Sequence, residues 1–452
     1  MGNWFAYLVL LIWPLVSVRL FMVYSIQVAI LITLLGGYMF LPETTMIDLP
    51  MLPPLNKGTT SILAAFVGCS FIRNHKVSLL GKSKLKWLLL IYIFSPFITA
   101  MNNGEVIVVG ETILPANSYY DALSVAISHV IGLVPYAIGR QFFKEAESQQ
   151  IFFKIMVLAG LFYSLLILIE LRVSPQLHTW VYGFFPHQFI QQFRFGGWRP
   201  VVFMGHGLKV SMFMAVSFIS SLLLMQQRKR IASFSPITVV CYLFVILVLS
   251  KSLAPVLYAL LVFLVFKLFS IKMQFKFSKI IVLFVLLYPV MSIMDLFPHK
   301  EMISQIKNIS PERAQSLEYR FLNEHILLQH AKNKLSFGWG LWSRNRVYSE
   351  KTGEDITTTD GGWIITLGTF GIVGFIAEFG LLVFPVYRAI SVYKLVRTKQ
   401  EQTLLAVHTL ALSFILLDQL PNASLTFWTW LFAGILMGRT EAISRDVSSM
   451  KR

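Results

Sequence analysis

The chain has 452 residues, 56% of them apolar and only 13% charged, with a mean hydropathy of +0.67. A soluble globular domain carries roughly 25% charged residues, so the composition excludes an ordinary soluble enzyme, a disordered chain, a coiled coil and a disulfide scaffold. The 39 basic against 22 acidic residues leave a net charge of +17. Because Lys and Arg sit in short clusters between apolar runs, this excess reads as membrane topology rather than nucleic-acid binding, for which no recognition module is present.

A helix needs roughly 17 to 25 apolar residues to cross a bilayer. Spans are predicted to begin near Trp4, Val23, Ser61, Trp87, Ala122, Ile155, Leu208, Ile237, Pro255, Ile280, Gly362, Leu404 and Leu425, which makes 12 or 13. Only Arg19 separates the first two, so they read as two spans or one broken unit. No basic region precedes Trp4 and no small-residue cleavage site follows Val18, so the first helix is expected to stay in the membrane. Cys69 and Cys241 both fall inside apolar runs and match neither a disulfide pair nor a metal set.

Orientation follows from the basic segments 73–86, 140–154, 228–230, 267–279 and 388–399 and the tail with Arg439, Arg445, Lys451 and Arg452. Placing all of them in the cytoplasm is self-consistent, and puts the larger segments 42–58, 101–121, 173–206 and 297–361 on the opposite face. The chain then divides into a first part of the bundle (1–296, with loop 173–206), a large loop on that opposite face (297–361), a last part (362–438) and a cytoplasmic tail (439–452). Loops longer than about 12–15 residues are usually functional or disordered. The last two exported segments carry Trp, Phe, Tyr and His rather than Ser/Gly filler and are expected to fold.

Within the large loop, Leu317, Phe321, Leu328, Ala331 and Leu335 form one apolar stripe at helical spacing. Pro311 and Glu312 suit a first turn capped by Ser310. Arg313 and Arg320 share a face away from the stripe, with Glu324 one turn on from Arg320 and able to pair with it. Arginines on the wet face of a helix beside a membrane suit an anionic lipid headgroup; the bland alternative is a solvated face.

Four stretches occur in a set order: RFGGWRPVVFMGHGLK from Arg194, LSKSLAPVL from Leu249, Arg320 followed by SFGWGLW from Ser336, and DGGWIITLGTFGIVGF from Asp360. This order resembles the O-antigen ligase and O-antigen polymerase superfamily of bacterial inner-membrane proteins. The resemblance spans roughly residues 150–390. It implies an all-α, GT-C-like polytopic membrane protein of about 12–13 transmembrane helices, with a large, partly helical periplasmic loop before the last three spans. It also implies transfer of a glycan from a polyprenyl-diphosphate-linked oligosaccharide to a hydroxyl at the periplasmic face. There are two departures: Lys251 stands where the family usually has arginine, and Asp360 where ligases carry a histidine. The second favours a polysaccharide polymerase over a ligase that uses lipid A-core or a protein as acceptor.

The donor of such a reaction is already activated. No glycine-rich phosphate loop, His/Cys ligand cluster or metal-spaced carboxylate pair occurs in the sequence, so no cofactor and no metal is expected. Breaking the anomeric bond builds negative charge on the diphosphate. Guanidinium groups meet this well because they stay charged and offer paired donors. Arg199 and Arg320 are therefore the expected clamp, helped by Arg194, Lys209, Lys251 and Arg313. The alternatives are a backbone contact for Arg199, an ion pair with Glu324 for Arg320 and snorkelling for Lys209. Asp360 is the candidate general base or else a helix cap. His206, in a Gly-His-Gly turn, is a site residue or a cap. Trp339 and Trp342 stack on sugars or belong to an interfacial aromatic belt. His325 and His330 read as surface residues, and Glu378 and Asp418 as partners of basic residues that fix the bundle. Membrane lipids are partners by composition, and a chain-length regulator and a flippase are partners the resemblance allows. A transporter or lipid flippase is the competing class, but no internal repeat supports it.

Overall fold

The computed structural model describes residues 2–48, 53–81, 85–194, 196–228, 230–231 and 234–450. Of the features predicted above, residues 49–52 and 82–84, Phe195, Lys229, Lys451 and Arg452 lie outside these. The described chain is almost entirely helical. In order come α1 (Trp4–Val23), α2 (Ile26–Phe40), α3 (Lys57–Val67), α4 (Lys86–Met101), α5 (Tyr119–Phe142), α6 (Ala146–Val173), α7 (Leu177–Tyr182) and α8 (Gly207–Gln226). Then follow α9 (Pro236–Leu249), α10 (Leu253–Leu268), α11 (Ile271–Ile293), α12 (His299–Ile309), α13 (Pro311–Lys332), α14 (Gly362–Val392), α15 (Lys399–Asp418) and α16 (Phe427–Met450). Among the described residues, seven helices are long and apolar enough to cross a membrane and five shorter ones are equally apolar in character. The protein is an all-α, multi-pass membrane protein.

Every predicted span start falls within, or within three residues of, one of these helices. α1 and α2 are two helices rather than one broken unit. The chain turns at Tyr24–Ser25, and Trp13 Nε1 donates back across the pair to the Thr33 carbonyl at 3.3 Å. The starts of the helices carry their own signals. Asn56 with Thr59 and Ser118 with Asp121 form reciprocal capping boxes for α3 and α5, and Ser235 precedes Pro236 at α9. Residues 439–450, assigned to a tail, continue α16 as helix.

Two close approaches shape the bundle. Gly434 and Gly438 lie one turn apart on α16, and a Cβ there would stand 2.2 and 2.3 Å from the Tyr136 and Arg140 carbonyl oxygens of α5. Small residues let the two backbones touch where no hydrophobic drive separates helix from lipid. The second approach is a break in α14 at Gly371 (φ 67°). Backbone groups freed there are met by the loop after α13: Ile372 N–H donates to Leu335 O at 2.8 Å and Val373 N–H to Ser336 O at 3.2 Å. Trp339 N–H donates to Gly368 O at 2.8 Å and Gly340 N–H to Thr369 O at 2.9 Å. Non-helical backbone at membrane depth persists only when protein satisfies it in this way. The SFGWGLW and GTFG motifs are thus two halves of one joint, and a Cβ on Gly371 would lie 2.4 Å from the Ser336 carbonyl.

The long connections meet at one end of the bundle. Glu43, before α3, touches Lys209 at the start of α8, and Glu105, after α4, touches Lys334 and Arg344 beyond α13. The short basic connections meet at the other end, where Arg140 grips Glu441 at 2.6 and 3.0 Å and Arg439 pairs with Glu401. The large loop holds one helix more than predicted: α12 packs against α13 ahead of the expected amphipathic element. α13 itself starts at Pro311 as predicted, with Ser310 at the cap position but no side-chain cap bond.

Candidate active site

Loop 183–206 is folded around a carboxylate. Glu170, at the end of α6, accepts N–H bonds from Leu177 (3.0 Å), Val201 (2.7 Å) and Val202 (2.8 Å). This fixes the chain on the C-terminal side of Arg199, and Arg199 N–H donating to the Gln192 carbonyl at 2.8 Å fixes the other side. The Arg199 side chain is buried, at 6% exposure. Its Nη2 donates to Ser252 Oγ at 2.7 Å, while its Nε, like Gln192 Nε2, has no hydrogen-bond partner among the described residues. Ser252 lies in the turn between α9 and α10 and is held by Ser211 of α8 at 2.7 Å. Burial, then the charges of Arg194 and Arg320, push the Arg199 guanidinium down to about 10, so it remains cationic at neutral pH.

A basic cluster surrounds it. Arg194 and Gly197 pair across the two-stranded hairpin β1 (Phe193–Arg194) and β2 (Gly197–Trp198). Lys251, in the left-handed region at φ 54°, rests its ammonium on Gly197, where a Cβ would meet it at 2.0 Å. Arg320 reaches in from α13. The predicted Arg320–Glu324 pair does not form. Arg320 Nη1 donates instead to the Pro421 carbonyl at 2.7 Å, and its Nε lies 3.7 Å from Asp360 Oδ2. Glu324 is taken by Tyr288 on α11, whose hydroxyl donates to it at 2.7 Å. Asp360 does not cap α14, whose cap position is Gly361 without a side-chain bond. The structure therefore brings Arg194, Arg199, Lys251, Arg320 and Asp360 to one place from four parts of the chain.

The remaining candidates have other partners. His206 caps α8, its Nδ1 accepting the Leu208 N–H at 3.0 Å. Burial, then Arg199, His187, Lys209 and Arg194, push it down to about 3, so the ring is neutral and carries its proton on Nε2. Lys209 pairs with Glu43 at 2.8 Å, and Lys57 binds the other oxygen of the same carboxylate at 3.1 Å. Burial works to raise Glu43, but the two lysines overcome it and hold the group down to about 2. Arg313 is exposed at the start of α13. Trp339 stacks on His330 at 4.2 Å, donates to the His330 carbonyl and lies 4.9 Å under Lys334. His330 is therefore a packing partner rather than a surface residue, whereas His325 is exposed. Trp342 is 52% exposed beside the buried Arg344, which binds the Glu105 and Pro115 carbonyls at 2.6 and 2.9 Å.

The sequence reading missed Glu43, Gln192 and Ser252. Among the described residues, neither Asp418 nor Glu378 forms an ion pair with a basic side chain. Asp418 accepts from Asn422 (2.9 Å) and Ser424 (2.8 Å), shaping the turn whose Pro421 carbonyl positions Arg320. Glu378 accepts from Thr366 at 2.7 Å across the break in α14, and from Tyr92 at 3.4 Å. The signal available for Glu170 and Asp418 was their rarity, since carboxylates in apolar runs are costly and need a purpose.

Beside Arg320 and Asp360 opens a cavity of about 280 Å³ between α10, α11, α13 and the start of α14. Cationic donors, a carboxylate and a half-open cavity next to them can hold an anionic leaving group and deprotonate an incoming hydroxyl.

Residues 237–379 match the family model described as O-antigen ligase. The match bears out the resemblance to the O-antigen ligase and polymerase superfamily and implies a glycosyltransferase-like enzyme. It takes in Lys251, Arg320 and Asp360, while Arg194, Arg199, His206 and Lys209 precede it. No curated protein matches the chain.

Proposed function

We propose that this glycosyltransferase-like membrane protein is a polysaccharide polymerase. It moves a glycan from polyprenyl diphosphate to a sugar hydroxyl of a second lipid-linked repeat unit, without a metal, at the periplasmic face of a bacterial inner membrane. The observation that carries the reading is the convergence of Arg199, Arg194 and Arg320 beside Asp360, with the buried Arg199 Nε unpaired among the described residues. A buried guanidinium with no carboxylate partner is costly until an anion arrives. A diphosphate supplies that anion and accepts paired, charge-assisted bonds.

In the reaction, the acceptor oxygen forms a bond to the anomeric carbon as the bond from that carbon to the diphosphate oxygen breaks. The bonding pair leaves with the diphosphate, whose growing charge faces Arg199 and Arg320. The hydroxyl proton passes to Asp360. Arg320 and Asp360 are each about one-third exposed, at 35% and 36%. A pair so exposed contributes only about 0–1 kcal/mol, whereas a hydrogen bond to a charged group contributes about 1.5–3 kcal/mol. The diphosphate therefore wins Arg320 and releases Asp360 to act as base.

An O-antigen ligase is the second reading, favoured by the description of the matching family; Asp360 in place of histidine favours the polymerase. Purified protein in detergent is incubated with lipid-linked repeat units and no other acceptor, for the wild type, Arg199→Ala and Arg320→Ala. A product ladder rising by whole repeat units, lost in both variants, is expected. Product formed only after lipid A-core or a protein is added makes the protein a ligase. Substrate that binds and is never converted makes it a transporter.

A further inference from the structure

We infer that the cavity beside Arg320 is the acceptor subsite, which takes the terminal sugar of the incoming repeat unit with Glu324 receiving its hydroxyls. This rests on the reading that the arginines hold the donor diphosphate.

The cavity has one charged end and one aromatic end. Arg320 and Asp360 stand at the first, and Glu324 lies one helical turn further along α13, about 6 Å by helix rise. The three contacts to Glu324, from Tyr288 (2.7 Å), Ser292 (3.5 Å) and His299 (3.8 Å), all fall on Oε1. No described residue donates to Oε2. His299 Nε2 is buried and lacks a hydrogen-bond partner among the described residues. Glu324 lines the cavity, and its second oxygen can accept hydrogen bonds from the hydroxyls of a ligand there.

The surrounding wall is aromatic. Phe297 meets Tyr288 at 4.8 Å and Phe321 at 6.3 Å, and all three line the cavity. Ring faces beside a carboxylate are the chemistry that recognises a pyranose, whose C–H face is apolar and whose edge is hydroxylated. The volume of about 280 Å³ lies at the low end of small-molecule sites, which run from about 300 to 1,000 Å³. That suits a sugar ring or two rather than a whole repeat unit. A sugar with one edge on Glu324 would present its opposite edge, about one ring away, to Asp360 and the donor carbon.

The test separates donor from acceptor. The donor is a lipid-linked repeat unit blocked at its non-reducing end, so it cannot accept. The acceptor carries a phosphonate in place of the anomeric oxygen, so it cannot donate. Glu324→Gln and Phe297→Ala are expected to raise the acceptor KM by about tenfold with the donor KM unchanged, while Arg320→Ala raises the donor KM. Binding of the free repeat-unit oligosaccharide, without lipid or phosphate, gives a readout independent of turnover. It should survive Arg199→Ala and be lost in Glu324→Gln. Unchanged acceptor KM and unchanged oligosaccharide binding in both cavity variants would overturn the subsite. So would a rise in donor KM alone, which would make the cavity a seat for the donor's lipid. A wild type that binds the oligosaccharide through Glu324 yet forms no product would overturn the polymerase reading and leave the subsite standing.

Discussion

Replacing Glu170 by glutamine keeps the size of the side chain and removes its charge and one acceptor. The carboxylate now receives three backbone N–H bonds of 2.7–3.0 Å. Hydrogen bonds to a charged acceptor are worth about 1.5–3 kcal/mol each and those to a neutral one about 1 kcal/mol. An amide oxygen can serve Val201 and Val202, but the NH₂ then faces the Leu177 N–H, and one buried donor loses its partner at about 1–3 kcal/mol. Summed with two weakened bonds, the loss is about 2–7 kcal/mol, concentrated where the chain leaves Arg199. Glu170→Gln is expected to lower the melting temperature in detergent and to speed amide hydrogen exchange across 199–206. Affinity for a short polyprenyl diphosphate should fall by about tenfold or more, because Arg199 is no longer held. A variant with wild-type exchange in that loop and wild-type diphosphate affinity would refute the claim that this carboxylate sets Arg199.

Three further outcomes are expected. Asp360→Asn should lower kcat by about 10²–10⁴, the range for loss of a general base, with donor affinity unchanged or slightly tighter because Arg320 loses a competitor; equal kcat would remove Asp360 from the chemistry. His206 sits at about 3 in the fold against 6.5 for a free histidine. As pH falls below 6.5 the unfolded chain therefore binds a proton that the fold refuses, and stability declines until about pH 3. His206→Asn retains a good cap and should flatten that decline by up to about 1.4 kcal/mol per pH unit in melts at graded pH. Gly371→Ala places a Cβ 2.4 Å from Ser336 at positive φ and should destabilise by more than about 2 kcal/mol. Gly132→Ala meets nothing within 4 Å and should be neutral or stabilising, by up to about 1 kcal/mol; similar melts for the two variants would argue against a joint at Gly371.

The spans were legible because a membrane span is written locally, as an apolar run of sufficient length, and α13 because its stripe repeats at helical spacing. α12 escaped notice because eleven residues with a polar majority resemble loop. Of the site, the arginines and Asp360 were legible as residue types in ordered motifs, and the roles proposed for them follow from the chemistry of those residue types.

Partnership was decided only by tertiary structure. Arg320 bonds the Pro421 carbonyl and pairs with Asp360 rather than with Glu324, one turn away on its own helix, whose Oε1 receives Tyr288 from α11. Glu170 and Asp418 bind backbone N–H, amide and hydroxyl groups rather than cations. No local pattern announces this, since every residue but proline offers the same N–H. The glycines of SFGWGLW and GTFG acquire a structural role only when the two segments are seen hydrogen-bonded across the break in α14. Composition along the chain determined which segments enter the membrane; the packing of distant helices determined which charges meet.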